Sequence, residues 1–166
     1  MKTENLLPTR NPAQESFPNW MSSPPRILVA EDDFFLRQLE AEVLRCAGFE
    51  VDEVEDGAAA WDRLQRKNYD LLVTDNNMPM VSGVELLKRI HAAHLSLPII
   101  MATGSLPAWE FTPDPLRQPI AILFKPYTIA ELMELVQEKL RAKAGAGDDA
   151  TPSSFQRQQP AQGLRL

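Results

Sequence analysis

The sequence predicts an α/β domain built around a parallel sheet, and three observations support this prediction. Five short strand-like runs alternate with longer segments whose apolar residues recur at helical spacing. The runs are mostly continuous in apolar residues, as parallel strands buried on both faces are, rather than alternating. Four of them end in a charged or hydroxyl side chain. Right-handed crossovers would then place helices on both faces of the sheet.

Length and composition restrict the classes of function. A chain of 166 residues with 44% hydrophobic and 24% charged residues is typical of one soluble domain with tails. A net charge of −6 disfavours nucleic acid and anionic membranes as partners, and no run approaches the roughly 18 apolar residues of a membrane span. The single Cys46 excludes an internal disulfide and fits a reducing compartment. We therefore expect a cytoplasmic protein.

The predicted domain organisation is a folded domain between two tails. Residues 1–25 contain five prolines among polar residues and no hydrophobic periodicity, which predicts disorder. Met21 lies just before the first strand, so we hypothesise that it is the natural start. Residues 144–166 are dominated by Gly, Asp, Pro, Ser and Gln and are also predicted to be disordered. The folded domain is expected to span 26–143.

The first part of this domain contains two strands, each followed by a helix. The run Ile27–Ala30 suits a central strand, Asp33 is placed to cap the helix that follows, and Gly48 is a helix stop signal. A second strand around Val51 and Val54, among acids, suits a sheet edge. The apolar positions expected to pack are Leu36, Leu39, Val43, Cys46 and Ala47 in the first helix, and Ala60, Trp61 and Leu64 in the second.

Three further strands complete the predicted sheet, at Leu71–Thr74, Ile99–Ala102 and Ile120–Phe124. Residues 82–85 and 128–131 have the form of capping boxes, and each opens a predicted helix. The apolar faces of these helices are Val84, Leu87 and Ile90 in the first, and Ile129, Leu132, Val136 and Leu140 in the second.

Charged and hydroxyl side chains occur where these strands end. Glu31 and Asp32 follow the first strand, Asp75 the third, Thr103 the fourth and Lys125 the fifth. Because the carboxyl ends of parallel strands share one edge, we expect all five at a common rim. Two carboxylates about 4 Å apart repel by roughly 4 kcal/mol at an effective dielectric near 20, so the cluster requires a cation. Oxygen ligands with room for water favour Mg²⁺.

This combination of groups suits phosphoryl transfer. Asp75 as nucleophile would form an aspartyl phosphate. Lys125 and the metal would neutralise charge on the phosphoryl oxygens, while Thr103 would donate a hydrogen bond. The two histidines, His91 and His94, belong to no convincing zinc set and are interpreted as surface residues.

Over about residues 26–143 the chain resembles the receiver domain of two-component response regulators. The resemblance implies a flavodoxin-like (βα)5 doubly wound parallel sheet with strand order 2-1-3-4-5. It also implies a phosphodonor that is a sensor histidine kinase or a histidine phosphotransfer protein. The matching pieces, in order, are Ile27–Asp33, Asp75–Gly83, Ala102–Gly104 and Lys125–Pro126.

The resemblance assigns metal-binding roles to four residues. Asp75 is similar to the phosphoacceptor, which is also a metal ligand, and Asp32 to the direct metal ligand of the acidic pair. Glu31 would act more remotely, through water. Asn77 matches the position whose backbone carbonyl completes the Mg²⁺ site.

Other roles follow from the resemblance. Thr103 and Lys125 match the switch hydroxyl and the phosphoryl-binding lysine, and the Lys125–Pro126 bond is expected to be cis. Ile122 occupies a position that is often aromatic in the family, where the ring follows the switch hydroxyl. This form of coupling is therefore in doubt here.

The segment 106–118 is predicted to be an irregular replacement for the fourth helix of the family. Its prolines leave room for only a turn or two of helix. Trp109 and Phe111 either pack under a loop or form a surface for an unknown downstream protein. If they form that surface, replacing both with alanine should weaken partner binding while phosphorylation persists.

Several functions compete at this stage. The first is a single-domain switch that signals through a partner, because no output domain fits in 144–166. A phosphorelay intermediate and a pseudo-receiver scaffold that never accepts phosphate are alternatives. An aspartate-based phosphohydrolase commonly needs a second acid two residues after its nucleophile, and Asn77 stands there. A flavin-binding module would need a phosphate-binding loop after the first strand, which this sequence lacks.

Overall fold

The computed structural model describes residues 23–104 and 120–145. These residues form a parallel five-stranded sheet in the order β2-β1-β3-β4-β5, with four helices around it. The predicted fold class and strand order are confirmed. The elements in chain order are β1 (Arg26–Ala30), α1 (Phe34–Cys46), β2 (Glu50–Val54), α2 (Gly57–Arg66), β3 (Leu71–Asp75), α3 (Gly83–Ala92), β4 (Ile99–Thr103), β5 (Ile120–Phe124) and α4 (Ile129–Gly145).

The core has two layers because successive side chains of a strand point to opposite faces of the sheet. On one face, residues such as Leu28 and Leu72 pack with apolar side chains of α2 and α3. On the other face, residues such as Ile27 and Val73 pack with side chains of α1 and α4. The central strands β1, β3 and β4 are almost completely buried. The sheet is therefore a rigid base for the loops at its carboxyl edge.

Short polar side chains begin the helices as the sequence predicts. Asp33 accepts a hydrogen bond from Leu36 N at 2.9 Å, which satisfies a free donor of α1. Before α4, Thr128 and Glu131 form a complete capping box, with bonds of 2.7 Å and 3.2 Å between each side chain and the other residue's backbone N–H. These caps fix the residues at which α1 and α4 begin.

The predicted packing face of α1 is wrong in part. Leu39 and Cys46 are exposed, and the buried face includes two charged residues, Arg37 and Glu40. Apolar periodicity did not find this face because both side chains are buried through hydrogen bonds, Arg37 to the carbonyls that follow β1 and Glu40 to Tyr127, 87 positions away. Ala41 and Leu44 complete the buried set.

The edge strand β2 carries acids that are paired with cations of neighbouring elements. Arg26 on β1 contacts Glu50 at 2.6 Å, and Arg45 on α1 contacts Glu53 at 3.1 Å. A third pair joins Lys67 to Asp52 at 3.0 Å. The predicted position of the second strand at the sheet edge is confirmed.

Several predictions fall on residues that the structure leaves undescribed. These residues are 1–22, 105–119 and 146–166, which contain Met21, most of the two predicted tails and the proline-rich segment. The predicted domain boundaries remain predictions, although α4 runs to Gly145, two residues past the expected end of the domain. Among the described residues, no helix combines the length and apolar composition needed to cross a membrane.

Candidate functional site at the carboxyl edge of the sheet

Asp75 is the last residue of β3, the buried strand at the centre of the sheet. Where β3 pairs with β4, Asp75 lies opposite Ala102, so Thr103 lies one position further along at the same rim. Glu31 directly follows β1, which pairs with the other side of β3. The ends of three neighbouring strands thus bring these polar groups to one edge, as predicted.

The amine of Lys125 connects two buried carboxylates. Lys125 directly follows β5, and its Nζ lies 2.7 Å from Glu31 Oε2 and 3.0 Å from Asp75 Oδ2. The side chains of Glu31 and Asp75 are 3% and 7% exposed, whereas that of Lys125 is 25% exposed. The other oxygen of Asp75 accepts a hydrogen bond from Asn76 N at 2.6 Å. Both oxygens of Asp75 therefore have a donor that fixes the orientation of the carboxylate.

Electrostatics at this pocket reflect burial and charge pairing together. Burial raises the pKa of Glu31 more than the hydrogen bond from Lys125 lowers it. Burial alone would lower the pKa of Lys125, but its hydrogen bonds to Glu31 and Asp75 outweigh that effect, so the pKa is raised. The lysine therefore keeps its charge between the two carboxylates.

Three carboxylates form a candidate cation site beside the lysine. One oxygen each of Glu31, Asp32 and Asp75 lie within 4.8 Å of one another. Asp32 is exposed, so solvent reaches this side of the pocket. Three carboxylates against one ammonium leave an excess of negative charge, and an all-oxygen set open to water suits Mg²⁺ better than zinc. The donor set therefore fits the predicted ion.

Much of the chain matches known proteins. The family model for the response regulator receiver domain matches residues 27–137. The chain belongs to this family. Over 118 residues it is 35% identical to the response regulator receiver protein CpdR of Brucella abortus (strain 2308), a match that covers 70% of this chain and 98% of that protein.

Solved receiver domains have the same fold. The Francisella response regulator 1452 receiver domain is 28% identical with a TM-score of 0.64, covering 72% of this chain and 98% of that chain. A response regulator receiver protein from Sinorhizobium medicae WSM419 is 29% identical with a TM-score of 0.63, covering 72% of this chain and 97% of that one.

The remaining predicted residues of this receiver domain also lie at or near the rim. Thr103 is fully buried, and its carbonyl accepts a hydrogen bond from Lys125 N at 2.9 Å. The Lys125–Pro126 peptide is cis, as expected. Asn77 is exposed in the loop after β3, and Ile122 packs, partly buried, against the core under α2 and α3. The functional roles of these residues remain predictions.

Sequence reasoning did not predict two residues whose side-chain hydrogen bonds fix the backbone at the rim. Arg37 of α1 is buried, and its guanidinium donates to the carbonyls of Glu31 at 2.5 Å and Asp32 at 3.3 Å. The side-chain oxygen of Asn76 accepts a hydrogen bond at 3.1 Å from the first turn of α3. A buried arginine leaves no signal in apolar periodicity. The partner of Asn76 is eight positions away, beyond the local turn that an asparagine indicates, so the sequence carried no clear signal for this contact either.

Gly83, at the start of α3, packs directly against the backbone of Asp75. A Cβ at this position would lie 2.4 Å from the Asp75 carbonyl oxygen and 3.0 Å from Asn76 Cα. Because these atoms are backbone, the strand end would have to shift, and such overpacking costs roughly 1–3 kcal/mol. We expect Gly83→Ala to lower the free energy of unfolding by this amount in urea denaturation.

A matched control lies at the same rim. Among the described residues, none would contact a Cβ at Gly104 within 4 Å, so Gly104→Ala should leave the unfolding free energy close to that of the native protein. Equal losses in the two variants would contradict the assigned packing of Gly83.

Proposed function

We propose that this receiver domain is a phosphorylation-controlled switch of the stand-alone type. Asp75 accepts a phosphoryl group from a phosphohistidine on a sensor histidine kinase or histidine phosphotransfer protein. The phosphorylated domain then signals in the cytoplasm by binding a partner protein. The observation that carries this proposal is the Lys125 amine, 3.0 Å from the Asp75 carboxylate beside a cluster of acids. The match to nearly the full length of CpdR supports the stand-alone type.

The transfer uses Asp75 and Lys125, which already contact each other, together with the hydroxyl of Thr103. A carboxylate oxygen of Asp75 forms a bond to phosphorus while the bond between phosphorus and the donor imidazole nitrogen breaks. The imidazole leaves with the electron pair of that bond, and a proton from solvent keeps it neutral. Lys125 balances negative charge on the phosphoryl oxygens, and the hydroxyl of Thr103 donates to one of them.

The acids of the rim are the proposed ligands of Mg²⁺. Asp32 and Asp75 would bind it directly, Glu31 through water, and Asn77 through its backbone carbonyl. When bound, the ion would neutralise charge on the phosphoryl oxygens. The excess of carboxylates over ammonium groups at this rim supports the assignment, because without a second cation the like charges repel.

Exposed apolar side chains near the rim support a protein as the phosphodonor. Phe35 on the first turn of α1 is 82% exposed, and Met80 in the loop after β3 is 85% exposed. Each lies within five residues of a rim acid in the sequence, Asp32 or Asp75. The ring of Phe35 contacts that of Phe34, which is 58% exposed, at a centroid distance of 5.5 Å, and contiguous exposed apolar side chains mark surfaces that bind other proteins. The single exposed thiol of Cys46 agrees with a cytoplasmic location.

Intact mass measurement after incubation with Mg²⁺ and acetyl phosphate tests this proposal. We expect a single phosphoryl adduct that is lost in Asp75→Ala, because that variant has no acceptor oxygen. Asp62→Ala, which removes an exposed acid on α2, is the control and should keep the adduct. Beryllofluoride should bind the native site as a phosphoryl mimic.

The other outcomes identify the competing functions. A native protein that never takes up the phosphoryl group would be a pseudo-receiver scaffold. Steady turnover of a phosphomonoester would indicate a phosphohydrolase, and onward transfer to a second histidine protein would indicate a relay intermediate. An adduct that survives Asp75→Ala would place the acceptor elsewhere.

A further inference from the structure

A partly buried hydrogen bond outside the acidic rim joins α1 to the segment that carries Lys125. Glu40 on α1 is 1% exposed, and its Oε1 accepts a hydrogen bond from the Tyr127 hydroxyl. Tyr127 lies two residues after Lys125, and it packs against the core layer under α1 and α4. The two bonded residues are 87 positions apart in the sequence. Their contact therefore ties the loop after β5 to the helix after β1.

The same face of α1 also donates hydrogen bonds to the backbone carbonyls of the rim acids Glu31 and Asp32. Arg37 lies three positions before Glu40, and residues at this spacing are neighbours on one helix face. Arg37 binds the carbonyls of Glu31 and Asp32, while Glu40 binds Tyr127. One helix face thus contacts both backbone segments that present the opposite charges of the site.

Packing alone does not require a polar pair at this position. Replacing both partners of a buried hydrogen bond by apolar groups of similar shape is often nearly neutral for stability. Glu40 is also electrostatically linked to the rim, because its pKa, raised mainly by burial, is raised further by Glu31 and Asp75 and lowered by Lys125. The pair therefore packs against the core layer under α1 and α4 and is also electrostatically coupled to the rim.

We infer that Glu40 and Tyr127 are positioning residues for Lys125, whose amine they hold in place for a phosphoryl group on Asp75. This inference rests on the proposed function. The segment is fixed at Lys125 N by the carbonyl of Thr103 at 2.9 Å and again two residues later by Glu40. Without the second anchor the amine has more positions available, and a misplacement of about 1 Å can slow a reaction by roughly 100-fold.

The decisive comparison is between Tyr127→Phe and Tyr69→Phe. Tyr69 makes a similar partly buried hydrogen bond, from its hydroxyl to a carboxylate oxygen of Asp52 at 2.6 Å, but it precedes β3 at the opposite edge of the sheet. Each variant therefore loses one hydroxyl that donates to an acid. We expect the rate constant of adduct formation with acetyl phosphate to fall about tenfold in Tyr127→Phe and to be unchanged in Tyr69→Phe.

Two further variants separate positioning from stability. Glu40→Gln keeps an acceptor for the Tyr127 hydroxyl, so it should retain most of the native rate. Glu40→Leu combined with Tyr127→Phe makes the contact apolar, so its rate should stay low whether or not its thermal stability recovers. All rates are measured at a temperature at which circular dichroism shows every variant folded.

The possible failures are distinguishable. A native rate in Tyr127→Phe overturns the inference, as does a slowing that Tyr69→Phe shares or that the double variant reverses. A native protein that takes up no phosphoryl group overturns the proposed function and the inference with it.

Discussion

Replacing Lys125 with alanine should lower the free energy of unfolding by roughly 2–4 kcal/mol in the absence of divalent ions. The amine lies 2.7 Å from Glu31 and 3.0 Å from Asp75, and its loss leaves two buried carboxylates without a cation between them. Removing one partner of a buried ion pair leaves an uncompensated charge, which is strongly destabilising. The loss should shrink at acidic pH, because burial raises the pKa of Glu31 and protonation removes its charge.

Urea denaturation of Lys125→Ala and Lys143→Ala provides the comparison. Lys143 makes an equally short contact, 2.7 Å to Asp70, but both side chains are more than a third exposed. Surface pairs of this kind contribute only about 0–1 kcal/mol, so the control should lose little. The Lys125 variant should also form the phosphoryl adduct roughly 100-fold more slowly, as expected when a group that stabilises developing charge is removed. Similar losses in both variants would contradict a buried role for Lys125.

The titration of Glu40 should reduce the stability of the native protein by roughly 3 kcal/mol as the pH rises. Burial raises the pKa of Glu40 from its ordinary value of 4.5 to about 7, against the opposing effect of the Tyr127 hydrogen bond. The folded state therefore keeps this proton over a range in which the unfolded chain has lost it. The contribution of Glu40 to stability is therefore greatest below pH 4.5, falls between pH 4.5 and about 7, and is level above that range.

Glu40→Gln isolates this contribution, since other acids titrate in both proteins. Glutamine resembles the protonated acid, so the native protein and Glu40→Gln should have similar unfolding free energies at about pH 4. The variant should become the more stable of the two as the pH rises, by about 3 kcal/mol near pH 8. Urea denaturation across this range measures the difference, and parallel stability curves would contradict a raised pKa of Glu40.

The sheet and the rim were predictable because the sequence patterns that indicate them each lie within a few consecutive residues. Apolar runs such as Leu71–Thr74 identify buried strands, and Asp33 and Ser82 cap helices within a few residues of their own positions. Parallel topology then requires the strand ends to share an edge, which brings Lys125 to Asp75 without any knowledge of the packing.

The buried face of α1 was not predictable in the same way. Glu40 is polar, and its partner Tyr127 is 87 positions away, so only the tertiary fold shows that this carboxylate can be buried. Leu39 has the apolar side chain that periodicity favours, yet it is half exposed. Local pattern thus identifies which segment forms a helix, whereas long-range hydrogen bonds decide which side of it faces the interior.

The acidic edge strand β2 has a consequence for self-association. An open strand edge is a template for pairing with another chain, and charged side chains there discourage such pairing. Glu50, Asp52 and Glu53 are each held by a cation of their own molecule, Arg26, Lys67 or Arg45. A second copy that paired its own β2 with this strand would bring its acids against these, with their cations already engaged. We therefore expect the β2 edge to resist pairing with the β2 edge of a second molecule even in concentrated solution.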